Sequence, residues 1–525
     1  MQTNIFDFLR PEIKINKPIR LIELFGGYGS QAMALKRIGA RFEHWKLSEW
    51  EIAADNSYNA IHNDKDSRNY AKGKSREQLA RRLWKKGISN NGSTPMEYKQ
   101  IKRMSVQQLE KIYNSFCQNQ NLGSITKIKG KQLNITDTDK YTYMLTYSFP
   151  CTDLSISGKQ KGMKKGSGTR SGLLWEVERL LTELKNEGRE LPQILFMENV
   201  PQVIGSKNIE DFRKWEDFLT SLGYTNYYEI LNAKDYGVAQ NRERCYMFSF
   251  LGEYNYKFPK PEKLKKRLRD YLEQEVDERY YIRNEKAKTL IDKLTKSKTF
   301  AYDTEESIMG TIYTENSPTY GTDLSDIAHT IKSRNDMAVV EKNGPQIEIL
   351  GNYTKSNHDA TRIISPDGLA PTVRECHGSV TAVAVENDAK INVLGMLDTN
   401  GIEQSKRVYD IDGLAPTITT MQGGNMQPKI IKNDIHKKYN IRKLTPIECG
   451  RLMGVSDSDI VRMIIGDHRK AERFLKDKKG IEKIKKELTQ TQGTSNSKLY
   501  KQFGNSIVVD VMCAMFQQLN IEEEK

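Results

Sequence analysis

Cys151 stands in the segment Ser148-Phe149-Pro150-Cys151-Thr152-Asp153-Leu154-Ser155, directly after an apolar run, Tyr143 to Phe149, that reads as a strand. A lone cysteine is most often a small buried hydrophobe. This one follows proline on a polar loop at a strand's carboxyl end, where open sheets place their ligands. Its thiolate is therefore a candidate nucleophile. Gly158, Gly162, Gly166, Gly168 and Gly172 follow, interleaved with lysines, and predict a cationic loop able to close over a substrate. Two more strand ends carry groups fit for the same site. Phe196-Met197-Glu198-Asn199-Val200-Pro201 ends an apolar strand in a carboxylate, and Gln240-Asn241-Arg242-Glu243-Arg244 puts two guanidiniums just before the run Cys245 to Phe250. A thiol, a carboxyl and cations suit covalent attack on an electron-poor ring with charge stabilised alongside.

A fourth cluster suits a cofactor. Ile19 to Phe25 breaks into Gly26-Gly27-Tyr28-Gly29-Ser30, and a helical pattern through Ala32, Leu35 and Ile38 stops at Gly39. Glu49 lies 49 − 29 = 20 residues past Gly29, at the end of a second predicted strand, Phe42 to Leu47. An acidic residue there can bind ribose hydroxyls. The turn is not GxGxxG, which disfavours a pyrophosphate; S-adenosylmethionine, an adenosine without phosphate, fits.

Strands alternating with helices predict an α/β fold, a Rossmann-like, mostly parallel sheet with helices on both faces, plus a smaller β-rich domain. The expected organisation is a catalytic domain over 1–283 with a basic helical insertion on its surface at about 64–130, a β-rich domain over 284–435, a hinge and charged insertion over 436–503, and a C-terminal helix at 504–525 returning to the catalytic domain. Within the insertion Val106, Leu109, Tyr113 and Phe116 predict one apolar stripe. The β-rich part contains a repeat: Arg362 to Val373 (RIISPDGLAPTV) matches Arg407 to Ile418 (RVYDIDGLAPTI), with Asp326 to Ile331 as a fainter copy. The equivalent residues Thr330, Thr372 and Thr417 are 42 and 45 apart (372 − 330, 417 − 372), which marks tandem units of a few strands. At the end Ile507, Val508, Val511, Met512, Met515, Phe516 and Leu519 make one amphipathic face, with Ser506 placed to cap the helix.

A formal net charge of +14 favours a polyanionic partner. Six scattered cysteines without a CxxC pair exclude a disulfide framework and a zinc site, so no metal is expected. No signal peptide or run of about 18 apolar residues is present, and the expectation is a soluble, cytoplasmic protein of a bacterium or a phage-infected cell.

In order and spacing these blocks closely resemble the bacterial and phage cytosine-5 DNA methyltransferase family. The resemblance covers the glycine turn, Glu49-Trp50, Pro150-Cys151, Glu198-Asn199-Val200, Gln240 to Arg244, Arg442 to Gly454 (RKLTPIECGRLMG) and Tyr500 to Val508 (YKQFGNSIV). It implies methyl transfer from S-adenosylmethionine to carbon 5 of a flipped-out cytosine in double-stranded DNA, in a restriction-modification or phage anti-restriction role, by a monomer with no obligatory protein partner. It further implies that Cys151 attacks carbon 6 and Glu198 binds N3 and the exocyclic amine, while Arg244 and Arg242 orient the base and lower the thiol pKa. Phe25, Gly27, Tyr28, Gly29, Glu49, Trp50, Pro150, Asn505 and Ser506 would line the cofactor pocket. Asn134-Ile135 stands where the family often has an aspartate facing adenine, and Thr152 where it usually has glutamine. The repeat region matches the family's target-recognition domain, with Gln404, Arg407, Thr417 and the equivalent Thr372 facing DNA. Methylation of RNA and a catalytically inert DNA-binding role are the competing readings; the large repeat region opposes the first and intact Cys151, Glu198 and Arg244 the second. An adenine or exocyclic-amine methyltransferase is disfavoured by the lack of an Asn/Asp-Pro-Pro-aromatic block at a strand end. If the tandem units read different sites, bisulfite sequencing of DNA modified in cells yields two or more methylated contexts; one context alone makes the repeat a single reader.

Overall fold

A computed structural model of the chain describes residues 10–63, 66–151, 153–154, 161–266, 268–280, 391, 393–397, 403–409, 411, 414–418, 427–434, 437–476 and 493–522, with short strands between 310 and 383. Two compact units emerge, one of 1–291 with 389–525, the other 292–388.

The larger unit is built on six strands: β1 (Ile19–Leu24), β2 (Phe42–Ser48), β3 (Thr142–Tyr147), β4 (Ile194–Asn199), β5 (Tyr224–Asn232) and β6 (Glu243–Leu251), in the order β2-β1-β3-β4-β6-β5. All pairs are parallel except those made by β6, which runs antiparallel to both neighbours. β1 and β4 are buried at all six positions, as strands covered on both faces must be. Alternate residues of β4 serve opposite cores: Ile194 and Phe196 face one, Leu195 and Met197 the other.

On the first face lie α1 (Ser30–Arg37) and the C-terminal helix Val509–Gln517; on the second lie α6 (Leu174–Asn186) and α7 (Ile209–Ser221). The C-terminal helix buries Val511, Met512, Met515 and Phe516, and Phe516 meets the Phe196 ring edge-on at 5.3 Å. Ser506 does not cap it. Val508 holds that position without a side-chain bond, and Ser506 instead ends the preceding helix, Asn496–Asn505.

The 64–130 region is not a surface appendage. Its helices α3 (Arg76–Lys85), α4 (Tyr98–Lys102) and α5 (Val106–Gln118) close a third core around Leu79, Leu83, Ile101, Leu109, Ile112, Tyr113 and Phe116, which reaches Ile52 at the start of α2 (Ile52–His62). The stripe of α5 is Leu109, Ile112, Tyr113 and Phe116; Val106 is exposed because it opens the helix, one turn outside the packed stretch. Ser75 and Ser105 cap α3 and α5 in reciprocal boxes with Gln78 and Gln108, a signal readable from S-x-x-Q. The charged insertion expected within 436–503 likewise begins inside the core, since helix Asp457–Ile465 buries Ile460, Val461, Met463, Ile464 and Ile465. Residues 477–492 lie outside the described residues.

The sequence repeat is also a structural one. Ile349–Asn352 pairs antiparallel with Arg362–Ile364, which pairs parallel with Ala382–Val383. Val393–Met396 pairs antiparallel with Arg407–Tyr409, which pairs parallel with Lys429–Asp434. Asn352 opposes Arg362 as Met396 opposes Arg407, so the register is the same in both copies. The second copy falls in the larger unit, inside the boundary drawn at 435. The faint third copy with Thr330, and Thr372 of the first, lie outside the described residues.

Because Phe516 is fully buried between β4, β6 and its own helix, Phe516→Ala is expected to lose roughly 3–5 kcal/mol of stability. Urea denaturation followed by circular dichroism measures it, and a loss below about 1 kcal/mol means the C-terminal helix does not close the sheet.

Candidate active site

The glycine turn follows β1 because its backbone must turn back sharply without side chains in the way. Phe25, Gly27 and Gly29 all have positive φ, and a side chain on Gly26 would strike Leu47 and Glu23. The Gly27 N–H donates to Glu49 Oε2 at 3.0 Å, and the Glu51 N–H donates to Glu49 Oε1 at 2.7 Å. Burial pushes the Glu49 carboxyl up to about 7, against those two bonds and with help from the neighbouring Glu51 and Asp55 carboxylates.

Cys151 sits past the end of β3 on a turn tied from several sides. The Leu154 N–H donates to its carbonyl at 3.0 Å, Ser171 Oγ donates to Pro150 O at 2.7 Å, and Asn199 Nδ2 donates to Phe149 O at 2.9 Å. At the end of β4 the Glu198 carboxylate accepts from Ser148 Oγ at 2.5 Å and pairs with Arg244 Nε at 3.1 Å. Arg244 reaches it because β6 runs antiparallel, so residues opening β6 stand beside residues closing β4.

Arg242 has a structural task besides lining the cavity. Its guanidinium donates to Ile418 O at 2.7 Å, Gly504 O at 3.1 Å and Ser506 O at 2.6 Å, so it clamps three chain segments. Burial, with Arg244 nearby, lowers its pKa to about 10, which leaves it cationic at neutral pH. The thiol is not shifted in the direction expected. Burial pushes the Cys151 thiol up, Glu198 adds to that, and the opposing pull of Arg244 and Arg242 does not overcome it.

One cavity of about 470 Å³ gathers most of these groups. It is lined by Cys151, Glu198, Arg242 and Arg244 at one part and by Phe25, Gly27, Glu49, Trp50, Pro150, Asn505 and Ser506 elsewhere. Four expected lining residues are absent from it. Tyr28 is buried in the core against Phe503, with burial pushing its phenol up. Gly29 backs onto Tyr58 and His62. Asn134 is exposed, its carbonyl accepting from Trp45 Nε1, and Ile135 joins the core on the far side. Gly123-Ser124-Ile125-Thr126-Lys127 lines the cavity in their place, together with Gly92, Ser93 and Pro95 of the insertion. These residues fall within the 64–130 region that was expected on the surface.

Of the residues expected at DNA, Thr417 donates its hydroxyl to Asn241 O at 2.7 Å, a contact within the body of the protein. Arg407 is half-buried and pairs with the exposed Glu403. Gln404 lies on the one-turn helix Glu403–Lys406. Among the described residues no helix is long and apolar enough to cross a membrane.

A family model described as C-5 cytosine-specific DNA methylase matches residues 87–471. The chain is 40% identical over 269 residues to the orphan methyltransferase M.SssI of Spiroplasma monobiae, spanning 51% of this chain and 68% of that protein. It is 36% identical over 272 residues to the type II methyltransferase M2.ScrFI of Lactococcus lactis subsp. cremoris, spanning 51% and 71%. Over 565 aligned residues, 95% of this chain and 97% of the relative, it is 24% identical to the orphan methyltransferase M.SPBetaI of Bacillus phage SPbeta. The Cys151 turn, Glu198 and Arg244 in one cavity agree with that match, and the chain belongs to the C-5 cytosine-specific DNA methylase family and is an enzyme that methylates cytosine in DNA.

Proposed function

We propose that the chain transfers the methyl group of S-adenosylmethionine to carbon 5 of a cytosine flipped out of duplex DNA, through a covalent bond to Cys151. The observation that carries this reading is that the Cys151 turn, Glu198 with Arg244, and the glycine turn with Glu49 all open into the same cavity. Carbon 5 is a poor nucleophile and is inaccessible inside a base stack, so the base must leave the helix and the ring must be activated. The Cys151 thiolate adds to carbon 6, and the ring's electron pair moves toward carbon 5 and N3. Glu198 holds N3 and the exocyclic amine, where that charge collects. Once carbon 5 has been methylated, its proton goes to a base, the carbon–sulfur bond breaks, and the electron pair of the departing proton's bond restores the ring as Cys151 leaves as thiolate. Arg244 stays beside Glu198 throughout and opposes the burial that keeps the thiol protonated.

The cavity suits the cofactor. S-adenosylmethionine, when bound, supplies an electrophilic methyl group on a sulfonium. Glu49 is the hydrogen-bond acceptor for ribose hydroxyls, and Gly27 lets ligand atoms approach the backbone. Phe25, Trp50 and Pro150 give apolar walls, and Asn505 and Ser506 add polar groups. Gln502 Oε1, a buried acceptor with no partner among the described residues, also belongs to this lining. Target recognition is assigned to the β-rich region over 284–435, with Gln404 and Arg407 as candidate contacts, action as a monomer, and a role in restriction-modification or in shielding phage DNA.

DNA containing 5-fluorocytosine at the target is expected to give a covalent complex with the wild type, because the fluorine blocks the final elimination. Cys151→Ala abolishes that complex and lowers methylation by on the order of 10³ or more. Denaturing gel electrophoresis of the labelled complex decides, and an adduct that survives the substitution sinks the mechanism.

Glu49 supplies a pH dependence. With its carboxyl raised to about 7 it is largely protonated at pH 6 and ionised at pH 8, and the ionised form is the better acceptor for ribose hydroxyls. Cofactor affinity is therefore expected to tighten between pH 6 and pH 8 in calorimetric titrations, and the part of that rise due to Glu49 disappears in Glu49→Gln. An identical pH profile in the variant assigns the titration elsewhere.

A further inference from the structure

The insertion loop from Ser89 to Pro95 covers the cavity through Gly92, Ser93 and Pro95. Two cations from separate parts of the chain hold it down. Lys501 is buried on helix Asn496–Asn505; its Nζ donates to Asn91 O and pairs with Glu51 Oε2 at 2.7 Å. Arg170, beyond the nucleophile turn, donates Nη2 to Gly92 O at 2.6 Å. The two accepting carbonyls belong to adjacent residues, so the loop is pinned at one point from two sides.

Each anchor leads back into the site. Glu51, the partner of Lys501, donates its N–H to Glu49 Oε1. The Arg170 N–H donates to Asp153 Oδ2 at 2.8 Å, and its neighbour Ser171 donates to Pro150 O at 2.7 Å. Hydrogen bonds thus run from the Glu49 carboxylate, through the insertion, to the turn that carries Cys151. Gly92 makes this approach possible: its φ is +64°, and a Cβ there would run into both the Glu51 carboxylate and the Lys501 ammonium. A side chain there must displace either the loop or the ion pair beneath it.

We propose that residues 89–95 form a roof that retains the cofactor, and that Arg170 and Lys501 are the positioning residues that hold it shut. Cofactor can leave only when the roof lifts, which breaks charge-assisted bonds to both carbonyls. Arg170 also bonds the nucleophile turn through its backbone N–H, so the roof and the placement of Cys151 meet at one residue. This inference rests on reading the cavity as the cofactor site.

The test measures S-adenosylhomocysteine binding by the full-length protein, as Kd by calorimetry and dissociation rate by stopped-flow fluorescence, with KM for cofactor and for DNA alongside. Arg170→Ala is expected to speed dissociation and raise the cofactor Kd by roughly tenfold, about what one charge-assisted hydrogen bond contributes, while KM for DNA stays within about twofold. Arg170→Lys recovers part of the loss, and Gly92→Ala reproduces it without changing any charge. Should Gly92→Ala fail to fold, Arg170→Ala decides, since that side chain is half-exposed. Wild-type dissociation rates in Arg170→Ala, or a loss confined to KM for DNA or to kcat, overturn the roof. A wild type that does not bind S-adenosylhomocysteine overturns the cofactor reading itself.

Discussion

Two acidic groups, the Cys151 thiol and the Glu198 carboxyl, share one cavity, where burial and then Glu198 oppose ionisation of the thiol. Taking a charge out of water is costly unless a counter-charge goes with it. Arg244 is that counter-charge, 3.1 Å from Glu198. The sheet topology follows from the need to place it. In a parallel strand the residues that open it lie at the amino edge, far from the ligand site. β6 is antiparallel, so Glu198 opposes Tyr246 and Asn199 opposes Cys245, which brings the start of β6 to the carboxyl edge of β4. One reversed strand in a parallel sheet delivers an arginine where the chemistry is.

The same stretch of chain fastens the rest of the molecule to that edge. Gln240 Nε2 donates to Leu452 O, Gln240 Oε1 accepts from the Ile418 N–H, and Arg242 holds the carbonyls of Ile418, Gly504 and Ser506. Hydrogen bonds to a charged donor contribute about 1.5–3 kcal/mol each, so three on one guanidinium outweigh any single apolar contact nearby. Segments more than 260 residues apart in sequence thereby meet in the lining of the cavity that also holds Cys151. The cavity wall is consequently composite, with no one element supplying both the thiol and its surroundings.

Much of this was legible because the signals were local. Alternation between apolar runs and helical stripes marked five of the six strands, and strand ends bearing Cys151, Glu198 and Glu49 marked the cavity. What escaped were roles fixed by tertiary contacts. Arg242 and Arg244 are two residues apart on one strand and look alike in sequence, yet one clamps carbonyls and the other pairs with Glu198. Tyr28 sits inside the glycine turn, but the left-handed backbone at Gly27 and Gly29 turns its ring into the core. In the 64–130 region the abundant lysines and arginines mask helices whose apolar inner faces form a core of their own.

The repeat shows how an identical motif can mislead about purpose. Leu414, Ala415, Pro416, Thr417 and Ile418 come from the duplicated block, and four of the five are buried. Ala415 exchanges backbone hydrogen bonds with Ala239 and Asn241, Thr417 donates to Asn241 O, and Ile418 meets both Gln240 and Arg242. Residues so completely used in docking to the catalytic body have little left with which to read a base edge. In this copy the duplicated block thus seats a strand unit against the body of the protein, a structural task that its repetition in the sequence does not reveal.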